Sequence, residues 1–416
     1  MEKYVKSLVK KAKMASYCLA GLTTGKKNEV LAGMADSLLQ NKDFILKENK
    51  KDIARAIKNK LTKSLIDRLT LNEKRLNDMA VSLREVAKLA DPVGRILSQR
   101  TMPNGLHIQK ISVPIGVVLV IYEARPNVTS DCIGLLFKSS NLAILRASGD
   151  SIHSNKAISC ALNQAVKTCG LDFEPFLVVE KTGHGIVNLL LKENEHIDLV
   201  IPRGGEALIR KVVASSRIPV IKHYKGVCHI FIDKEVNIQE ALKICVNAKV
   251  QRPSVCNAVE KILVHKDIAA TFLPLLKKEF DSCKVEMRGD EKTRKILKGI
   301  KPATQEDWYA EYLDLIVTIG IMNDVDEAIA HINYYGSHHT DSILTKNSIN
   351  AEKFLKEIDS ACCFANISTR FSDGYQFGLG AEIGISTDKL HARGPMGLEE
   401  LTSYKWVVRG AGHIRE

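Results

Sequence analysis

The stretch Lys249 to Glu260, KVQRPSVCNAVE, carries the side chain best placed for nucleophilic chemistry. Cys256 follows Gln251, Arg252, Pro253 and Ser254 and is followed by Asn257. Pro253 has no amide hydrogen and a fixed φ, so regular structure should break there and leave Cys256 on a bend. The apolar run Ile262 to Val264 just beyond reads as a buried strand. A thiolate on a bend at the edge of a sheet is an effective nucleophile, and a cation such as Arg252 or a helix N-terminus favours the ionised form. Cysteine also packs well in cores, and this chain has ten. Polar, turn-forming neighbours set Cys256 apart. Cys18, Cys160 and Cys245 lie in helix-like runs and read as core, while Cys362 and Cys363 stand before a polar loop. No CxxC spacing occurs, so neither a disulfide framework nor a zinc site is expected. Reduced thiols fit a reducing compartment.

A chain of 416 residues should form two or three domains with ample core. No apolar run is long enough to span a bilayer, and the N-terminus is a basic amphipathic helix without an apolar signal core, so a cytoplasmic protein is expected. The net charge of +12 is spread through helices, commonly beside Glu or Asp, and aromatics make up only 6%. A nucleic-acid surface needs a clustered basic stripe, often with stacking aromatics. Attraction of small anionic ligands is the better reading of this charge.

The elements that must position Cys256 can be followed in order. Residues 1 to about 90 read as helices, with Thr70 to Glu73, TLNE, as a capping box. His107 to Val113 alternates like an exposed or edge strand. Val117 to Tyr122 is apolar on both faces, as in a buried parallel strand. Strands at Leu142 to Leu145, Phe176 to Val179, Leu199 to Ile201 and Val220 to Ile221 alternate with helices, which predicts a doubly wound α/β sheet. Such sheets bind ligands beyond their strands' carboxyl ends. There is no GxGxxG. Arg146 and the Arg203-Gly204-Gly205 loop end two strands, a pattern that suits a phosphorylated cofactor. A second alternating block runs from Val227 to about His391. The glycine- and charge-rich stretch Phe377 to Gly397 reads as a loop near a site, and Leu401 to Val408 as a strand.

QRPSVCNA, EYLDLI (Glu311 to Ile316), NISTRFSDG (Asn366 to Gly374), GLGAEIGIST (Gly378 to Thr387), KLHARGPMGLEELT (Lys389 to Thr402), IYEARPNVT (Ile121 to Thr129) and IPRGG (Ile201 to Gly205) together resemble the aldehyde dehydrogenase superfamily. Within it they resemble the branch that reduces L-glutamyl 5-phosphate. The resemblance implies a Rossmann-like cofactor domain (1–99 and 114–226), an α/β catalytic domain (227–391) and a small β oligomerisation flap (100–113 and 392–416). It implies NADPH-dependent reduction of that acyl phosphate to L-glutamate 5-semialdehyde through a cysteine thioester, in proline biosynthesis. It also implies a homo-oligomer, dimer or tetramer, and association with an upstream glutamate 5-kinase.

Carried over residue by residue, Cys256 is the nucleophile, Asn127 stabilises the oxyanion, and Glu311 holds the nicotinamide ribose. From their place at strand ends, Arg146 and Ser148 are expected to meet the cofactor's extra phosphate, and Arg203, Gly204 and Gly205 to line its loops. Arg370 and Arg393 are the candidates for the substrate's phosphate and carboxylate. The loop Leu145-Arg146-Ala147-Ser148-Gly149-Asp150 departs from the LRGG-plus-acid pattern of relatives. An ordinary aldehyde dehydrogenase, by contrast, would oxidise an aldehyde to an acid. Superfamily members that make free acids carry a water-activating glutamate just before the catalytic domain. Ile221 to Gly226, IKHYKG, has no carboxylate, so a thioester here should resist water unless His223 is aimed at it. Missing general-base help costs about 10²- to 10⁴-fold in rate.

Overall fold

A computed structural model describes residues 1–415 apart from Ala124 and Thr182. Among them the chain divides into two compact units. The first comprises Met1–Lys222, Leu379–Gly384 and Met396–Glu416, and the second His223–Gly378 and Ile385–Pro395.

The first unit opens with helices Glu2–Ala20, Thr24–Gln40, Lys42–Lys58, Lys63–Leu69 and Glu73–Lys88. Their apolar positions recur at helical spacing, and Val5, Val9, Ala12 and Leu19 are buried on one face of the first. Thr23 and Thr62 accept hydrogen bonds from the amides of Lys26 and Leu65 and so cap their helices. The capping box expected at Thr70 is not formed. Asn72 caps the helix instead, accepting from the amide of Arg75, because Thr70 donates its hydroxyl back to the carbonyl of Ile66. Cys18 and Cys160 do lie in helices, but on their outward faces; of the three helical cysteines read as core, only Cys245 is buried.

A four-stranded parallel sheet follows, in the order Phe176–Val178, Leu142–Ala147, Val117–Tyr122, Leu199–Arg203. Val117–Tyr122 is buried along its whole length, as its unbroken apolar run requires. The chain leaves it first for one neighbour and later for the other, so a topological switch point lies between Val117–Tyr122 and Leu199–Arg203. Val220 contributes a single bridge to Val200 rather than a fifth strand. A separate antiparallel sheet joins Ile96–Thr101, His107–Pro114 and Thr402–Arg409. His107–Pro114 is its central strand, not an edge. Its second partner comes from far along the chain, where local alternation cannot reveal it.

The second unit is built on a seven-stranded parallel sheet: Lys301–Pro302, Glu286–Gly289, Ile316–Met322, Val259–His265, Cys228–Ile232, Thr340–Leu344, Cys362–Ala365. Val259–His265, directly after Cys256, lies near the middle and is fully buried. Helices Ile238–Val250 and Lys266–Ser282 add Cys245, Phe272, Leu276 and Phe280 to the core packed against it. No helix among the described residues is long and apolar enough to cross a membrane.

Candidate active site

All seven strands of the second sheet run the same way, so the loops preceding them collect at one edge. Gly226 precedes the strand at Cys228, Cys256 the strand at Val259, Glu311 the strand at Ile316, and His339 the strand at Thr340. Residues scattered over more than a hundred positions are thus brought together at the amino edge of one sheet.

Cys256 is half-buried on the expected bend, whose turn is closed by the amide of Ala258 donating to the carbonyl of Val255. Its backbone is gripped from several sides. The Cys228 thiol donates to the carbonyl of Cys256 at 3.2 Å. Gly226 lies so close that a Cβ there would stand 1.8 Å from the same carbonyl oxygen, so no side chain fits at that position. The Gly226 amide donates to the Glu311 carboxylate at 2.9 Å. One glycine therefore links Glu311 to the cysteine loop. On another side Asn257 donates its side-chain Nδ2 to the carbonyl of Ser372 at 2.8 Å, and Arg370 donates to Gln251 at 2.7 Å and to Asn257. Arg370 is thus beside Cys256, and two of its N–H groups clamp the loop. Arg393 is joined instead to Asp359, through its carboxylate at 2.9 Å and its carbonyl at 3.0 Å.

Two histidines stand near the thiol. The Cys256 sulfur and one ring nitrogen each of His223 and His339 all lie within 4.8 Å of one another. His223 Nδ1 is 2.9 Å from the carbonyl of Ile385. A carbonyl can only accept, so Nδ1 carries the proton and Nε2 keeps its lone pair when the ring is neutral. His339 is fully buried; burial, reinforced by His223 beside it, pushes its pKa down to about 3, and it is a neutral imidazole at ordinary pH. The condition attached to His223 above is therefore met: an imidazole is at the thiol, although a carboxylate is absent from IKHYKG.

Glu311 sits in a loop held by buried charge. Lys249 and Glu260, the two ends of the cysteine stretch, form a fully buried ion pair at 3.0 Å. The pair closes the neck of the Cys256 loop. Lys249 also donates to the carbonyl of Asp314 at 3.1 Å, Glu260 accepts the amide of Leu313 at 3.3 Å, and Lys261 donates to the carbonyl of Ala310 at 2.7 Å. The backbone on both sides of Glu311 is thereby fixed, including Leu313 in the left-handed region at φ 54°. Burial pushes Lys261 down to about 7 and lowers Lys249, while burial raises Glu260.

The other candidates belong to the first unit and gather at the carboxyl edge of its sheet. Tyr122 is level with Ala147 on one side and Arg203 on the other. Arg146 donates to the carbonyl of Gly183 at 3.3 Å, and Ser148 donates to Asp150 at 3.3 Å. Arg55 and Asp52 pin the adjoining loop, through the carbonyl of Gly149 and the amide of Ser154. A Cβ on Gly205 or Gly183 would meet nothing within 4 Å, so there is open space beside both. The Gly205 amide, expected to face a phosphate, donates to the carboxylate of Glu123 at 3.2 Å. Gly204 packs so tightly that a Cβ would stand 2.7 Å from Glu123 and Leu208. Here the glycines serve close packing of the chain on itself as well as access. Asn127 lies in the first turn of helix Pro126–Lys138 and donates to Asp131 at 3.1 Å. Burial raises Asp131 to about 6, against the opposing effects of Asn127 and Arg203.

Two parallel α/β units, one presenting a basic carboxyl edge and the other a thiol loop, are the architecture of an aldehyde dehydrogenase. The aldehyde dehydrogenase family model matches residues 1–296. The chain belongs to that family and is an oxidoreductase. The gamma-glutamyl phosphate reductase of Caldanaerobacter subterraneus subsp. tengcongensis is 52% identical over 416 residues, the whole of both chains. The crystal structure of gamma-glutamyl phosphate reductase from Thermotoga maritima superposes with a TM-score of 0.97 at 44% identity, covering 99% of this chain and 100% of that one. An acetylating aldehyde dehydrogenase from Geobacillus thermoglucosidasius shares the fold, at TM-score 0.69 and 14% identity over 100% of this chain and 98% of that one.

Proposed function

We propose that the chain reduces L-glutamyl 5-phosphate to L-glutamate 5-semialdehyde and phosphate, with NADPH as reductant and a thioester on Cys256 as intermediate. The observation that carries this reading is the Cys256 loop itself, locked to Gly226 and Glu311 in a chain half identical to named gamma-glutamyl phosphate reductases. His223 Nε2 takes the thiol proton, the thiolate attacks the acyl carbon, and phosphate leaves. The Cys256 amide and Asn127 are the proposed oxyanion donors. Arg370, with part of its charge beside the thiol, faces the anionic substrate; Arg393 is assigned the α-carboxylate.

The first unit fits a dinucleotide. It has a switch-point crevice, open space beside Gly205 and Gly183, and Arg146 and Ser148 at the strand end. Arg146 and Ser148 would hold the 2′-phosphate, Arg203, Gly204 and Gly205 would line the cofactor loop, and Glu311 would hold the nicotinamide ribose. Bound there, the nicotinamide would supply a hydride to the thioester carbon; the carbon–sulfur bond would then break, returning Cys256 as the leaving thiolate for His223 to reprotonate. The resulting aldehyde corresponds to the product named above, placing the chain second in the route from glutamate to proline.

The test runs the reaction backwards. Glutamate semialdehyde should reduce NADP rapidly only when phosphate is present, with NAD markedly less efficient. Without phosphate, formation of NADPH should stall near one equivalent per Cys256 and continue at least about 10²-fold more slowly, since His223, holding the proton it took from the thiol, is no base for water while the thioester stands, whereas phosphate dianion attacks without one. Steady turnover with accumulation of free glutamate would refute the thioester partition, and equal efficiency with NAD would refute the role given to Arg146.

We also assign self-association to the three-stranded sheet. Tyr404, Trp406 and Val408 stand exposed at alternate positions of its outer strand. Trp406→Asp should lower the molar mass measured by light scattering, and an unchanged mass would exclude this surface.

A further inference from the structure

We infer that Cys256, His223 and His339 bind a divalent cation of zinc's size and softness, and that the bound cation switches the thiol off. One soft sulfur and two imidazole nitrogens are the donor set such a cation prefers. In a tetrahedral site the donors stand roughly 3.3–3.8 Å apart. Here they already lie within 4.8 Å. His223 and Cys256 are half-buried and His339 fully buried, so the adjustment needed falls to the first two, with His223 turning about its Nδ1 hydrogen bond.

Two further observations point to a ligand. His339 Nε2 is buried and has no hydrogen-bond partner among the described residues, although its Nδ1 is engaged by Thr340 at 2.9 Å. An unsatisfied buried nitrogen is costly, and a cation would satisfy it. His223 is held through Nδ1 by a backbone carbonyl, as metal-ligating histidines commonly are, and this presents Nε2 as the ligand. Three protein donors leave a fourth position open for water. Binding exchanges a proton for the metal: the sulfur–hydrogen bond breaks, a sulfur–metal bond forms, and one proton is released per cation. The electron pair needed for attack on substrate is then committed to the metal. The switch, though not the binding, rests on Cys256 being the nucleophile.

The test uses the full chain, stripped with a chelator that is then removed. Zn²⁺ is titrated by calorimetry and Co²⁺ by absorption. One site per chain is expected, with a thiolate-to-cobalt charge-transfer band and loss of reductase activity in step with occupancy, reversed by chelator. His339→Gln should weaken binding by at least about 10- to 100-fold, since even groups behind the ligands carry that much. Should that variant misfold by circular dichroism, His223→Gln replaces it. Cys256→Ser should abolish the band, whereas a Cys18→Ser/Cys160→Ser double variant, lacking two exposed thiols, should keep it. Affinity unchanged in the histidine variants, or a band that survives Cys256→Ser, overturns the site. Tight binding with activity intact upholds the site and overturns the nucleophile.

Discussion

Cys256→Ser is expected to lower kcat on the order of 10³-fold or more, while the second unit keeps its fold. Such a loss corresponds to about 4 kcal/mol or more of transition-state stabilisation. Serine matches the thiol in shape, and the contacts that fix the loop are made by other atoms: the Cys256 carbonyl, Asn257 and Gln251. The hydroxyl is far harder to ionise near neutral pH, and a neutral imidazole alone activates it poorly without a partner that stabilises the resulting imidazolium. Unfolding midpoint, NADPH binding and near-native spectra should be unchanged. Turnover within tenfold of the parent would show that the thiol is not the attacking group.

Lys249→Met should destabilise the second unit by about 3–5 kcal/mol, because it leaves the Glu260 carboxylate in the interior without its closest partner. Methionine preserves the stem, so little of the effect comes from packing. The variant should also affect the cofactor. The Ala310–Asp314 backbone loses its hydrogen bond from Lys249, so Glu311 loses one of the contacts that fix its direction. KM for NADPH should rise more than KM for the acyl phosphate. Urea unfolding and steady-state kinetics read the two effects separately. Lys249→Met/Glu260→Leu should recover part of the stability, because both charges are gone, but not the cofactor KM. A single variant as stable as the parent would mean that Lys261 alone neutralises Glu260.

Local chemistry made the thiol visible in the sequence. Proline, asparagine and serine around Cys256 announced a bend, and the apolar run beyond announced a buried strand. The same logic found the strand ends that carry Arg146 and Arg203. Topology decided what was missed. His339 lies far along the chain from Cys256 and reaches it only because two parallel strands begin at the same edge, and no CxxC-like spacing could signal such a triad. Lys249 and Glu260 bound the cysteine stretch, but nothing local shows that two charged residues are buried against each other. The Gly204-Gly205 pair looked like a phosphate loop, since sequence cannot show that Glu123 already takes the second amide. Helical spacing placed Cys18 and Cys160 in helices without telling which face they occupy.

The antiparallel pairing of His107–Pro114 with Thr402–Arg409 bears on how the protein is made. Ser112 waits for Tyr404, and His107 for Arg409. A ribosome adding about 5–20 residues per second needs on the order of tens of seconds to cover that distance. During that interval one side of an early strand is a bare row of amides and carbonyls, open to the same strand on a neighbouring nascent chain. Chains truncated before Thr402 are therefore expected to aggregate more readily than the full chain, whatever the stability of the finished molecule.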